Sequence, residues 1–195
     1  RGQTHVMNQL LFLCLLLAPL ITTGCGRAPL SWNVPENMQS AAKLAAQSWC
    51  SATDGRYCPN VEDPDGSTMR WSTFDEGKEI FGHGACGWYS AKPNLSGDPR
   101  WHEIVIPVDY AEVLQEDGTP RCGWWDRLFR QVTPEEALVP ILAHELGHAV
   151  RLPDLPRDGD DEPDGDGDGT LMGTDHMVFE PSARDVELYL REGND

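Results

Sequence analysis

The sequence predicts one mixed α/β domain behind an export signal, on three observations. Helical periodicity runs through two well-separated segments, residues 35–50 and 133–150. A run rich in β-branched residues, His102 to Tyr110, lies between them and reads as a strand. Beyond Cys25 the chain keeps four cysteines, an even number that suits a disulfide-stabilised exported domain.

The export signal comes first. Leu10 to Ile21 reads LLFLCLLLAPLI, too short to cross a bilayer as a helix but right for the apolar core of a signal peptide. Residues 1–24 are assigned to it, with residues 1–6, upstream of Met7, read as extraneous. Ile21-Thr22-Thr23-Gly24-Cys25 resembles a bacterial lipobox, which implies that Cys25 is lipidated and anchors the chain outside the cytoplasm. An ordinary cleaved signal, with Cys25 unmodified, is the alternative. Residues 25–33 form a tether and 34–195 the domain, long enough for a single core.

Pro35 opens the first helix, PENMQSAAKLAAQSWC. From Ser51 to Pro99 the Gly, Pro, Asp and Asn content predicts turns and short strands, Glu79-Ile80-Phe81 among the apolar pieces. The four cysteines, Cys50, Cys58, Cys86 and Cys122, allow three pairings. Cys50–Cys58 with Cys86–Cys122 is favoured, because the first loop is short to close. No CxxC spacing occurs, which argues against a four-cysteine zinc site. HEIVIPVDY is the strongest strand, and Pro107 within it points to a sheet edge. Glu112 to Cys122 is a polar loop. Thr133-Pro134-Glu135-Glu136 starts the second helix, with a cap, a first-turn proline and a capping box. Pro140 then predicts either a kink or a later start to the regular helix. The segment 153–170 is loop. PSARDVELYLR closes the domain as a helix with Val186, Tyr189 and Leu190 on one side.

The net charge is −17. Such a surface excludes nucleic acid and anionic lipid as partners, leaving membrane contact to the lipid anchor alone. The charge is uneven: residues 154–169 carry eight acids and one arginine.

His144-Glu145-Leu146-Gly147-His148 is the motif that carries chemistry. Residues four apart share one helix face, about 6 Å apart along the axis, so both imidazoles can grip one zinc ion. Glu145 stands beside them as general base toward a zinc-activated water. Chance produces such a string in roughly one chain of this composition in a hundred. Here it lies in a capped apolar helix of an exported chain.

Extended, the motif reads HELGHAVRLPD, which resembles the metzincin zinc peptidases and, with Asp154 at the third-ligand position, their snapalysin-like variant. Gly169-Thr170-Leu171-Met172-Gly173 is similar to that family's Met-turn, and PSARDVELYL to its closing helix. The resemblance covers roughly residues 138–190. It implies that His144, His148 and Asp154 bind zinc and that Met172 lies beneath the ion without binding it. His176, after the Met-turn, is expected to line the cleft or lie on the surface, with oxyanion stabiliser or substitute zinc ligand as its alternative roles. Asp158, Glu180 and Glu187 are rivals for the third position. The implied fold has a twisted, mostly parallel sheet, an active-site helix and an irregular C-terminal subdomain ending in a helix. An edge strand above the cleft pairs with extended substrate, and HEIVIPVDY is the expected edge. Arg151 departs from the family, which has glycine there. For the chain to turn as expected, Arg151 must take a left-handed conformation at about 1 kcal/mol. Pro153 helps by disfavouring helical geometry at Leu152.

Asp164, Asp166 and Asp168 alternate with glycines in the DxDxDG spacing of calcium loops, with Asp175 where such loops carry glutamate. A solvated acidic insertion is the alternative. The expected function is therefore a monomeric, extracytoplasmic zinc metalloendopeptidase acting on polypeptides. A non-catalytic zinc- or calcium-binding surface lipoprotein is the other reading.

Overall fold

A face of small side chains lets the two main helices approach closely. On α1 (Gln39–Ala52), Ala41, Ala42, Ala45, Ala46 and Trp49 are buried, the spacing of a single helical stripe. The computed structural model describes residues 30–81, 86–93, 99–108, 134–155, 169–173 and 178–192. The first turn of the expected helix, Glu36–Met38, is 3-10 in form, and the α-helix begins only at Gln39. The alanine face packs on α3 (Pro134–Ala149). That second helix is apolar almost all round, with Ala137, Leu138, Ile141, Leu142, Ala143, Leu146 and Ala149 buried. A helix of that composition belongs at the centre of a domain. It runs unbroken through Pro140, so the alternative of a later start falls away.

Among the described residues the sheet has four strands: β1 (Trp32–Asn33), β2 (Ser67–Ser72), β3 (Trp88–Pro93) and β4 (Pro99–Pro107). Their spatial order is β1-β2-β4-β3, with the first two pairings parallel and β3 antiparallel to β4. The class is mixed α/β with a mostly parallel sheet, as expected. The strand HEIVIPVDY needs correction. Its His102–Pro107 part forms the end of β4, an interior strand rather than an edge, while Asp109 and Tyr110 lie outside the described residues. Ile104, Val105 and Ile106 are all fully buried, as an unbroken apolar run on a strand covered on both faces requires. Pro107 is tolerated because it is the last residue of the ladder, opposite Ser72; pairing continues through Val108 N–H to the Ser72 carbonyl at 2.8 Å. Among the described residues the outermost strand on that side is β3.

A second correction concerns residues 74–81, expected as turn and short strand. They form α2 (Phe74–Phe81). Thr73 caps it, its Oγ1 accepting from the Glu76 amide at 3.1 Å, and Phe74 packs near Trp88. The closing helix is α4 (Ala183–Glu192), and its buried face is Asp185, Leu188 and Tyr189. Val186 and Leu190, expected on the inner side, are only half-buried.

Cys50–Cys58 is a disulfide, as expected. Cys86 is also disulfide-bonded, while Cys122 lies outside the described residues. The Cys50–Cys58 loop carries Tyr57 into the core between Trp49 and Tyr189. Trp49 Nε1 donates to the Ala143 carbonyl at 2.7 Å, and the Tyr57 hydroxyl to the Leu146 carbonyl at 2.9 Å. The Leu146 carbonyl sits in the last turn of α3, where intrahelical partners run out, so Tyr57 satisfies an otherwise orphaned acceptor. Burial pushes the Tyr57 phenol well above its ordinary pKa, keeping it a donor. Among the described residues no helix is long and apolar enough to cross a membrane.

Candidate metal centre

His144 and His148 project from successive turns of α3, with rings edge-to-face and centroids 4.7 Å apart. The helix stops just beyond them in a Schellman motif. The Leu152 amide donates to the Gly147 carbonyl at 3.1 Å, and the Arg151 amide to the His148 carbonyl at 2.9 Å. Arg151 holds the left-handed position of that motif, with φ of 70°. The turn expected of a glycine is therefore made by arginine. It reverses the chain and brings Asp154 back over the helix.

Asp154 Oδ1 lies 3.1 Å from His144 Nε2 and 3.4 Å from His148 Nε2. One ligand atom from each of the three residues falls within 4.8 Å of the others. The far side of each imidazole is held by main chain. His144 Nδ1 is 2.8 Å from the Leu171 carbonyl, and His148 Nδ1 is 2.8 Å from the Leu152 carbonyl. A carbonyl only accepts, so each Nδ1 carries the proton. In a neutral ring Nε2 is then a lone pair aimed at a carboxylate, and two acceptors cannot face each other unless a cation lies between them. The donor set thus fits a divalent ion such as zinc: two Nε2 atoms and one carboxylate oxygen, with both rings oriented from behind.

Without a metal, protons take that place. Burial works against a charged imidazole at His148, but the Asp154 carboxylate and then Glu145 outweigh it and raise its pKa to about 9. His144 is raised by the same balance. Hydrogen bonds from His144 and His148 hold the Asp154 carboxyl far below the usual carboxylate range, against its partial burial.

Glu145 is buried, 5% exposed, on the turn that carries His144. A Cβ built on Gly87 would stand 2.7 Å from its Oε1. Tyr89 of β3 lays its ring against His148, with centroids 6.3 Å apart, and its hydroxyl meets His102 Nδ1 at 2.6 Å. The edge strand β3 therefore borders the centre.

Met172 is fully buried against Gly147, the residue just before the second histidine. A side chain on Gly147 would overlap the Met172 sulfur and stand 3.1 Å from Trp49. The turn holding Met172 closes through the Gly173 amide to the Thr170 carbonyl at 3.2 Å, and its Met172 carbonyl accepts from the Leu155 amide at 2.9 Å. The third-ligand segment and this turn are thereby joined.

Asp185 was not anticipated. It is fully buried, and its carboxylate accepts from the amides of Leu171 at 2.8 Å, Met172 at 3.1 Å and Ser182 at 2.7 Å, and from the Ser182 hydroxyl at 2.7 Å. The Asp185 amide returns a bond to Ser182 Oγ at 3.3 Å, completing a capping box. The signal was legible as Ser182-Ala183-Arg184-Asp185, although only the fold shows that the carboxylate also holds the turn. Tyr89 and Gly87 carried no sequence signal.

Of the rival ligands, Glu187 pairs with Arg184 at 3.1 Å on the exposed side of α4. Glu180 lines a groove of about 920 Å³ beside α1. Neither belongs to the cluster. Asp158, Asp164, Asp166, Asp168, Asp175, His176 and Cys25 lie outside the described residues. Comparison with known protein families, curated proteins and solved structures finds no match to this chain.

Proposed function

We propose that this chain is a zinc-dependent metalloendopeptidase of the metzincin type, in which His144, His148 and Asp154 hold the ion and Glu145 is the general base. One observation carries the reading: two imidazole Nε2 atoms and the Asp154 carboxylate converge within 4.8 Å, on the same helical turns as Glu145. Zinc bound there supplies a Lewis acid for a peptide carbonyl and lowers the pKa of water toward neutrality.

The remaining work falls to the chain. Glu145 takes the proton of the attacking water and returns it to the leaving amine, since a peptide nitrogen departs only once protonated. The hydrogen bonds at Nδ1 keep both rings from rotating away. Met172 floors the centre without entering it. The outer side of β3, the terminal strand of the sheet among the described residues, is where an extended polypeptide would add by the strand-addition mode of recognition. Accordingly β3, and not HEIVIPVDY, is the substrate-pairing strand. The disulfides support an extracytoplasmic location, where such bonds persist. The lipid anchor at Cys25 and a calcium site at Asp164, Asp166 and Asp168 rest on the sequence patterns.

Glu145→Gln tests the assignment. The variant is expected to bind zinc stoichiometrically, yet cleave an unfolded protein substrate roughly 10²–10⁴-fold more slowly. Full zinc with undiminished cleavage would remove Glu145 from the mechanism. Full zinc with no cleavage by the unaltered protein would favour the non-catalytic reading.

A further inference from the structure

Gly87 is a buried glycine whose backbone does not require glycine. Among the described residues the positive-φ glycines are Gly55 and Gly169, so Gly87 adopts a conformation open to any residue. What it lacks is room. A Cβ there would lie 2.7 Å from Glu145 Oε1, 3.0 Å from Ile106 Cδ1 and 3.0 Å from Ile141 Cγ2. Ile106 comes from β4 and Ile141 from α3, one turn before Glu145. The space is closed on three sides, and one wall is the carboxylate itself.

We propose that Gly87 is the positioning residue of the general base: its bare Cα forms the wall on which the Glu145 carboxylate rests, and so sets where that carboxylate stands beside His144 and His148. This deepens the peptidase reading and rests on it for its catalytic consequence. The wall is rigid. Cys86 on one side is disulfide-bonded, and Trp88 on the other is registered with Val105 in the sheet. Glu145 Oε1, by contrast, ends a flexible side chain. When Gly87 and Glu145 compete for space, the carboxylate yields.

Gly87→Ala is the direct test. To move from 2.7 Å to ordinary contact near 3.5 Å, the carboxylate must shift by roughly 0.8 Å. Misplacing a catalytic group by about 1 Å is enough to cost up to about 10²-fold in rate. The zinc-loaded variant is expected to lose about 10- to 100-fold in kcat, with KM and zinc content unchanged. Glu145→Asp withdraws the carboxylate by one methylene. In that background Gly87→Ala should change kcat by less than about twofold, because a shared cause makes the two effects non-additive. A crystal structure of the metal-free Gly87→Ala protein supplies a readout independent of activity, with Oε1 displaced and the α3 backbone in place. Should the single variant not fold, Gly87→Ala combined with Ile106→Val removes Ile106 Cδ1 and leaves the contact with Glu145. An undisplaced carboxylate, or equal kcat losses in both Glu145 backgrounds, would overturn the proposal. A displaced carboxylate in a protein that cleaves nothing would sink the peptidase reading and leave the positioning role standing.

Discussion

Arg151 carries a strained conformation at the turn that returns Asp154 to the two histidines. Its φ of 70° is a region where an L side chain costs about 1 kcal/mol, and glycine nothing of the kind. The Schellman bonds that demand this geometry also place Leu152, whose carbonyl orients His148. The Arg151 side chain is exposed and contributes no buried packing. Arg151→Gly is therefore expected to stabilise the protein by about 0.5–1 kcal/mol, the relief of strain being offset in part by the greater freedom of glycine in the unfolded chain. Chemical denaturation would measure it, with zinc affinity unchanged; a loss of stability would mean that the arginine side chain makes interactions that outweigh its backbone strain. At this scale the histidines and Glu145 were legible, because their chemistry is written in residue type and a spacing of four. Gly87 was not. A glycine needed for its emptiness leaves no pattern, since the atoms that crowd it come from β4 and α3.

Among the elements, α4 acts on the centre without touching it. Asp185 caps its own helix through Ser182 and, with the same carboxylate, holds the Leu171 and Met172 amides. Leu171 in turn orients His144 through its carbonyl. Asp185→Ala strands buried donors that had a charged acceptor, which costs about 2–4 kcal/mol. Zinc affinity should fall as well, since the Leu171 carbonyl loses its register. A thermal melt together with competition against a zinc chelator checks both; unchanged zinc affinity in a destabilised variant would confine Asp185 to helix capping. The element types were mostly readable, because helical periodicity and apolar runs are local properties. Two were misread for physical reasons. An eight-residue helix such as α2 is too short for its pattern to stand out beside Thr73 capping. Strand β4 was placed at an edge on the strength of Pro107, which terminates the ladder rather than bordering it.

At the scale of the molecule, the centre joins the end of α3 and its Pro153–Leu155 return to the separate Thr170–Gly173 turn. A metal bound at their meeting point stabilises the folded state alone. At free zinc about a thousandfold above Kd the gain is about 4 kcal/mol, or about 10 °C in Tm for a chain of this size. The pH dependence follows from His148. Its folded pKa of about 9 exceeds the unfolded value near 6.5, so the metal-free folded state binds the extra proton. That contribution is fully present below pH 6.5 and is lost as pH rises through 9. Zinc held as proposed would displace the same proton, so its binding would strengthen over the same interval. The Tm difference between zinc-loaded and chelated protein should therefore widen between pH 6.5 and 9, as calorimetry at several pH values would reveal. A constant or narrowing gap would mean that His148 is not the proton's competitor for the metal.

By itself the sequence determined the His144–His148 pair, the adjacent Glu145, the helix that bears all three and the mixed class, because each depends on neighbours within a few turns or strands of the chain. Only the tertiary structure decided that Asp154 closes on both imidazoles, that β3 is the outer strand of the sheet among the described residues, and that Asp185 and Gly87 bear on the centre from distant parts of the chain. Most of those relations cross tens of residues, and even the short return from His148 to Asp154 depends on how the chain folds back, so no local periodicity encodes them.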